Sequence, residues 1–476
     1  MKTMRFLLLT LVVALGLTVG GCISDELTDS PSATLSFSTD TVSFDTVFTD
    51  LGTPTARLIV HNRNKKGVNI SSIRFSDPDG YFRMNVDGVS GRTFSDVEIR
   101  GEDSIYVFIE CYIPAGESAE PHLVSDKLEF VTNGVSQNVE VEAWGQNVTR
   151  LRGLTVESDM TLTAERPYVV FDSLKVMPGA TLRVEPGTRL LFHDKAEMIV
   201  EGTLDAQGEV GKMIQMRGDR LDNVLPDVGY DIMAGQWKGV TLRAGSFDNR
   251  MEYVDMRSTQ HGVVVDSCSV LDRSKLLLVN SWLHNSQGNV LQSKYARVDA
   301  YGCCFSEASG AVVELTGGRH SFVQCTIANN YLFSAISSPL LSLYHLLPKD
   351  AEADPANPLM RATFENGIIY GLAADINVDD LTGSDVILRY MLLKAKGNDD
   401  DNFIDCLWDK DPLFYTDRPK YIFNYRLRPD SPAIGAGDPA YVTEICRYDM
   451  DGLDRLADGA PALGAYVYTP PKEEEK

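Results

Sequence analysis

The chain has no concentrated basic surface: 44 lysines and arginines stand against 67 aspartates and glutamates, for a formal net charge of -23. A phosphate backbone requires such a surface, so nucleic acid is excluded as a partner. The same balance disfavours electrostatic capture by anionic lipid. No histidine–cysteine spacing matches a zinc site. The apolar run from Phe6 to Val19 is too short for a comfortable transmembrane span. Cys111 sits in a strand-like stretch without an evident partner, so no disulfide is expected there. What is present is globular: 476 residues, 43% hydrophobic and 23% charged, enough for two or three domains.

The start of the chain carries an address. Lys2 and Arg5 form a positive region, the apolar run follows, and Val19-Gly20-Gly21 precedes Cys22. This pattern resembles the lipobox of bacterial lipoproteins. The resemblance implies a signal peptide over 1–21, diacylglycerol on the Cys22 thiol and a tether over 22–33. No Asp follows Cys22 directly, which in that family implies the outer membrane. The acidic pair Asp25-Glu26 is similar to export tags of surface-exposed lipoproteins. An acylated terminus holds firmly to membrane, since each buried methylene contributes about 0.8 kcal/mol.

From 34 to 147 the sequence reads as short alternating strands separated by Gly, Asp, Asn and Pro clusters. Ala56–Val60, Ser104–Ile109 and Val135–Val141 are examples. With Gly80–Met84 and Lys127–Asn133, this segment resembles bacterial immunoglobulin-like sandwiches. The resemblance implies a spacer.

The stretch 150–375 reads as a solenoid. Leu174–Thr188, Met198–Gly208 and Gln236–Val240 place short apolar strands between glycine turns. Asn280–Asn285 aligns with Gly302–Glu307 and again with Gln324–Asn329, an offset of 22 both times (281 to 303, 303 to 325). A fixed period of this kind means stacked rungs. Alternation then turns Leu283, Phe305 and Ile327 inward in one column, and Ser281, Cys303 and Cys325 inward in a second. Stacked neighbours give poor disulfide geometry, so Cys303 and Cys325 read as free thiols. Cys406 and Cys446 are the one candidate bridge. These features resemble right-handed parallel β-helix proteins of the pectate-lyase-like class. Leu340–Ala356 reads as an insertion. Residues 376–476 resemble the final rungs and terminal cap of such proteins. The fold class is therefore all-β.

The chemistry is harder to place. Asp255, Asp266, Asp299 and Glu314 are the candidate catalytic acids for a polysaccharide lyase or glycoside hydrolase; hydrolysis needs a pair about 5–9.5 Å apart. Asp266, Gln292 and Glu314 are read as one column with two acids, and by the 22-residue register the column of His284, Ser306 and Ala328 offers a histidine without a partner. Trp282 and Tyr301 fall near one outward strip suited to stacking on sugar rings. Asp449, Asp451 and Asp454 bring oxygen ligands together; they read as a calcium set or as turn-forming carboxylates. No cofactor is otherwise expected. The leading reading is a surface lipoprotein that binds glycan or a protein partner without catalysis. The alternatives are the enzyme and a structural stalk of an envelope assembly, because one fold hosts many functions.

Overall fold

The structure is a computed structural model that describes residues 26–470, apart from 226–227, 269, 337, 347–353, 355 and 378–379. The expected signal peptide and Cys22 lie outside the described residues. The chain divides into two compact units between Asn147 and Val148, and the described residues are almost entirely strand and turn.

The first unit contains two sheets over one core. One sheet has five strands, with Ser104–Cys111 at its centre between Ala56–His61 and Phe82–Val86. The other runs Thr41–Phe48, Val135–Gln146, His122–Thr132, Val68–Phe75 and Thr93–Phe94, with Val97–Ile99 at the side. All pairs are antiparallel except that of Thr41–Phe48 with Val135–Gln146. Period-two patterning explains the burial: Val139, Val141 and Ala143 are buried while Glu140 between them is exposed. Leu58, Val107 and Ile109 from the first sheet pack into one cluster with Ile73, Phe130 and Val141 from the second. Burying each such side chain stabilises by about 1.5–3 kcal/mol. Cys111 is a buried free thiol, and burial pushes its pKa up to about 12.

The second unit is built from three stacks of parallel strands visited in turn, consistent with a parallel β-helix. One turn contributes Trp282–Ser286 to the first stack, Leu291–Lys294 to the second and Arg297–Tyr301 to the third. The next turn contributes Cys304–Ala308, Val313–Thr316 and Arg319–Val323. The first two stacks join at Tyr168–Val176, which pairs with both. The third is a ten-stranded sheet of its own.

The 22-residue offset is the register over these turns: Leu283 pairs with Phe305 and Phe305 with Ile327. All three are buried, as are Ser281, Cys303 and Cys325. At the corner between third and first stacks, Asn280, Gly302, Gln324, Asn366 and Tyr390 take φ of 44, 64, 54, 54 and 51°. One left-handed residue per turn redirects the chain there. Asn and Gly tolerate this backbone best, because the left-handed region crowds Cβ against the carbonyl.

Two expectations need correction. Leu341–Tyr344, read as the start of an insertion, is a strand of the second stack, because its Leu-Ser-Leu alternation supplies the inward pair Leu341 and Leu343. The seven described cysteines are all free, so Cys406 and Cys446 form no bridge. Cys446 is instead held in the C-terminal segment beside Thr443, 3.7 Å from its hydroxyl. The described residues beyond Trp408 form no strand of their own. They form an irregular segment laid along the outer side of the first stack, where Phe414, Tyr425, Leu463 and Tyr466 cover Cys304, Ala328, Ile368 and Leu392.

Candidate functional site

The four acids proposed from sequence are dispersed by the stacks. Asp255 lies on the first, Glu314 on the second and Asp299 on the third. Asp266 follows the second-stack strand Val263–Val265. Asp266 does not share the Gln292–Glu314 column: Val264 occupies it, because that turn is 28 residues long rather than 22. Asp266 pairs with Arg243 at 3.3 Å, and Glu314 accepts from the Gln292 and Asn289 amides at 2.5 and 3.1 Å.

Asp255 acquires a partner that the 22-residue period hides. The turn below Trp282 is 27 residues long, so Asp255 pairs with Trp282 and Arg257 with His284. Asp255 Oδ1 lies 3.0 Å from His284 Nε2, and Arg257 is 3.6 Å from its other oxygen. Burial opposes charge on Asp255, but the His284 hydrogen bond and the Arg257 charge outweigh it and hold the carboxyl below its ordinary pKa. Burial lowers the pKa of His284, against Asp255. The pair is therefore carboxylate and neutral imidazole. The Trp282 ring stacks on His284 at 4.0 Å, and its indole N–H donates to Ser306 Oγ at 2.9 Å. Trp282 packs against the cluster beneath the C-terminal segment, and His284 is buried. These groups satisfy one another and fasten the sheet surface.

Trp282 and Tyr301 do not form one strip. Tyr301 stands on the third stack, in a column with Val279, Val323 and Glu365. The two residues occupy different sides of the unit because the corner at Gly302 separates them from the next first-stack strand.

The third stack carries the more open site. A cavity of about 480 Å³ is lined by Arg297, Arg319 and Arg361, which occupy one column on successive turns. Asp299, Ser321 and Thr363 form the adjacent column, with Tyr301 beyond and Asp385 ending the arginine column. Arg297 Nε donates to Asp299 at 2.9 Å, and Ser274 donates to the same oxygen at 2.9 Å. Arg361 pairs with Asp385 at 3.3 Å. Arg319, between them, is exposed and has no acidic partner among the described residues. Burial raises the Tyr301 pKa, and the Asp299 charge adds to it, so its hydroxyl stays protonated and able to donate. Three guanidiniums face two aspartates in this groove, a local positive excess on an acidic chain. The sequence signal was present, since Arg297 and Arg319 are 22 apart. Arg361 was obscured by the longer turn before it.

Asp449, Asp451 and Asp454 are engaged within the C-terminal segment. Asp449 is buried and accepts from the backbone N–H groups of Asp451, Leu453 and Val467 at 2.8–2.9 Å. Asp451 pairs with Arg426 at 2.6 Å and Asp454 with Arg447 at 2.6 Å. Among the described residues no group of three or more His, Cys, Asp or Glu is arranged to hold a metal.

No protein-family profile matches the chain, and no curated protein matches it. Among solved structures, the chain is similar to a family 123 glycoside hydrolase from Clostridium perfringens, at 12% identity over 24% of this chain and 26% of that one, with a TM-score of 0.17. The overlap spans about a quarter of that protein, and at this score it carries no argument.

Proposed function

We propose that the chain is a lipid-anchored envelope protein, held at the outer membrane through Cys22, that binds an acidic glycan along the third stack. In this reading the second unit is a right-handed parallel β-helix and the first an immunoglobulin-like spacer. The observation that carries the binding role is the arginine column Arg297, Arg319 and Arg361 beside Tyr301, Ser321 and Thr363. A strand spacing of about 4.8 Å sets the guanidiniums at regular intervals. Arginine recognises carboxylate and sulfate through planar, paired N–H donors. Arg319, without an acidic partner among the described residues, is the group with most to gain from a ligand anion. The lyase or hydrolase reading draws less support, since Asp255, Glu314 and Asp299 stand on three different stacks.

The test is titration of the chain lacking residues 1–25 against polygalacturonate, a sulfated glycan and a neutral glucan. Anionic polymers are expected to bind, more weakly as salt rises. Arg319→Ala is expected to weaken that binding about tenfold, the effect of losing one charged hydrogen bond. Equal affinity in wild type and Arg319→Ala sinks this site. New unsaturated-product absorbance in the same assay would select the lyase instead.

A further inference from the structure

The groove on the third stack orders its charges from turn to turn. Arg297, Arg319 and Arg361 succeed one another on consecutive turns, and Asp385 takes the fourth place. Consecutive places lie about 4.8 Å apart. The three guanidiniums are not equivalent. Arg297 is committed twice: its Nε donates to Asp299 at 2.9 Å and its Nη1 to the Asp272 carbonyl at 3.2 Å. Asp299 is itself buried and also accepts from Ser274. Arg361 pairs with Asp385 at 3.3 Å. Arg319 stands between these two ion pairs, exposed and with no acidic partner among the described residues. Each ion pair is neutral as a unit. The three arginines therefore supply one uncompensated charge, at the middle of the groove.

The adjacent column narrows the choice of ligand further. It reads Leu277, Asp299, Ser321, Thr363 and Ile387 on five successive turns. The Ser321 and Thr363 hydroxyls can both donate to and accept from sugar hydroxyls. Past them the column ends in Ile387 on one side, and past Asp299 in Leu277 on the other. An anionic group over either apolar residue loses water without gaining a partner. The apolar face of a sugar ring incurs no such cost. An anionic group one turn to either side of Arg319 meets a guanidinium already held by a carboxylate, Asp299 on one side and Asp385 on the other.

We propose that the groove selects a glycan in which one acidic sugar is flanked by neutral sugars. The carboxylate pairs with Arg319, and the neutral neighbours lie over the Arg297–Asp299 and Arg361–Asp385 pairs. The proposal rests on reading this groove as a glycan site, and it narrows that reading from acidic glycans in general to those whose charge is isolated. Arginine offers the planar pair of N–H donors that a carboxylate fits. Selectivity is a difference of affinities, and here the difference comes from repulsion: Asp299 and Asp385 weaken a uniformly acidic chain that Arg319 alone would accept. These two aspartates are the specificity-determining residues.

Two trisaccharides test this by calorimetry on the full chain, solubilised in detergent. One is N-acetylglucosamine–glucuronate–N-acetylglucosamine, with a single central carboxylate; the other is trigalacturonate, with a carboxylate on every unit. Wild type is expected to bind the first about tenfold tighter. Asp385→Asn frees Arg361 and removes a carboxylate, so it is expected to shift the ratio of affinities about tenfold toward trigalacturonate. Asp299→Asn is expected to shift the ratio in the same direction. The Asp385 side chain is the more exposed of the two, and its variant carries the test if Asp299→Asn fails to fold. Asp194→Asn removes a surface carboxylate outside the groove; it is expected to leave the ratio within about twofold and so controls for net charge. Equal or tighter binding of trigalacturonate by wild type overturns the proposal. So does an Asp385→Asn ratio no different from that of Asp194→Asn. In either case the glycan site itself stands if Arg319→Ala weakens the binding. Failure of both trisaccharides to bind at about 10 mM, or affinities that Arg319→Ala leaves unchanged, overturns the glycan site and this proposal with it.

Discussion

Glu307 is buried at a left-handed corner of the first stack, with φ of 53°. It accepts the hydroxyl of Tyr425 from the C-terminal segment. Burial pushes its pKa to about 7, against hydrogen bonds from Ser306 and Tyr425. The folded state therefore keeps a proton that the unfolded state gives up near pH 4.5. Stability from this group is fully present below about pH 4.5 and is lost as pH rises to about 7, at about 1.4 kcal/mol per pKa unit. His320 acts with the opposite sign. Burial holds its pKa down to about 4, against the Gly317 carbonyl that its Nε2 meets at 2.8 Å. Its contribution is present above about pH 6.5 and is lost as pH falls to about 4. The two slopes oppose each other over most of this window, so wild-type melting alone does not separate them. Glu307→Gln does: it is expected to match wild type near pH 4.5 and to exceed it by about 2–3 kcal/mol at pH 8. Equal pH profiles for the two proteins in chemical denaturation would refute this.

The strand columns set the cost of changes within an element. Phe305 sits between Leu283 and Ile327 and against Phe322, with ring centroids 5.9 Å apart. Phe305→Ala is expected to cost about 3–5 kcal/mol, the transfer loss plus a cavity that stacked neighbours cannot collapse into. The corner glycine Gly318 has φ of 84°, and a Cβ there would lie 2.2 Å from the Ala296 carbonyl oxygen. Gly318→Ala therefore strains the backbone and displaces the rung below, with an expected loss of at least about 1–3 kcal/mol. Denaturant midpoints read both. A loss under about 1 kcal/mol in Phe305→Ala would mean that the column tolerates repacking.

For the molecule as a whole, the first stack depends on the segment after Trp408. That segment buries Cys304, Ala328, Ile368 and Leu392, and Arg455 anchors it by donating to Gln324 at 3.3 Å and to the Gly464 and Ala465 carbonyls at 3.1 and 2.7 Å. Truncation after Trp408 exposes an apolar sheet face, a surface prone to association. The Cys304 thiol, wholly buried in the intact chain, is expected to react with a thiol reagent in the truncated chain and not in the full one. Protection of Cys304 in a truncated, folded chain would show that the segment is dispensable as a cover.

The repeat was legible because residue count and strand register coincide where no turn is enlarged. Leu283, Phe305 and Ile327 are 22 apart and pair directly, so period and alternation alone determined which side chains face inward. The strands of the first unit were legible from the same alternation. The candidate sites were not. Asp255 meets His284, and Asp266 leaves the Glu314 column, because turns of 27 and 28 residues shift the count while the hydrogen-bond ladder holds the register. The C-terminal segment has no period, and its contact between Tyr425 and Glu307 joins residues 118 apart. Sequence spacing determined the stacks; loop lengths and long-range apolar burial, which leave no periodic trace, decided which polar groups meet.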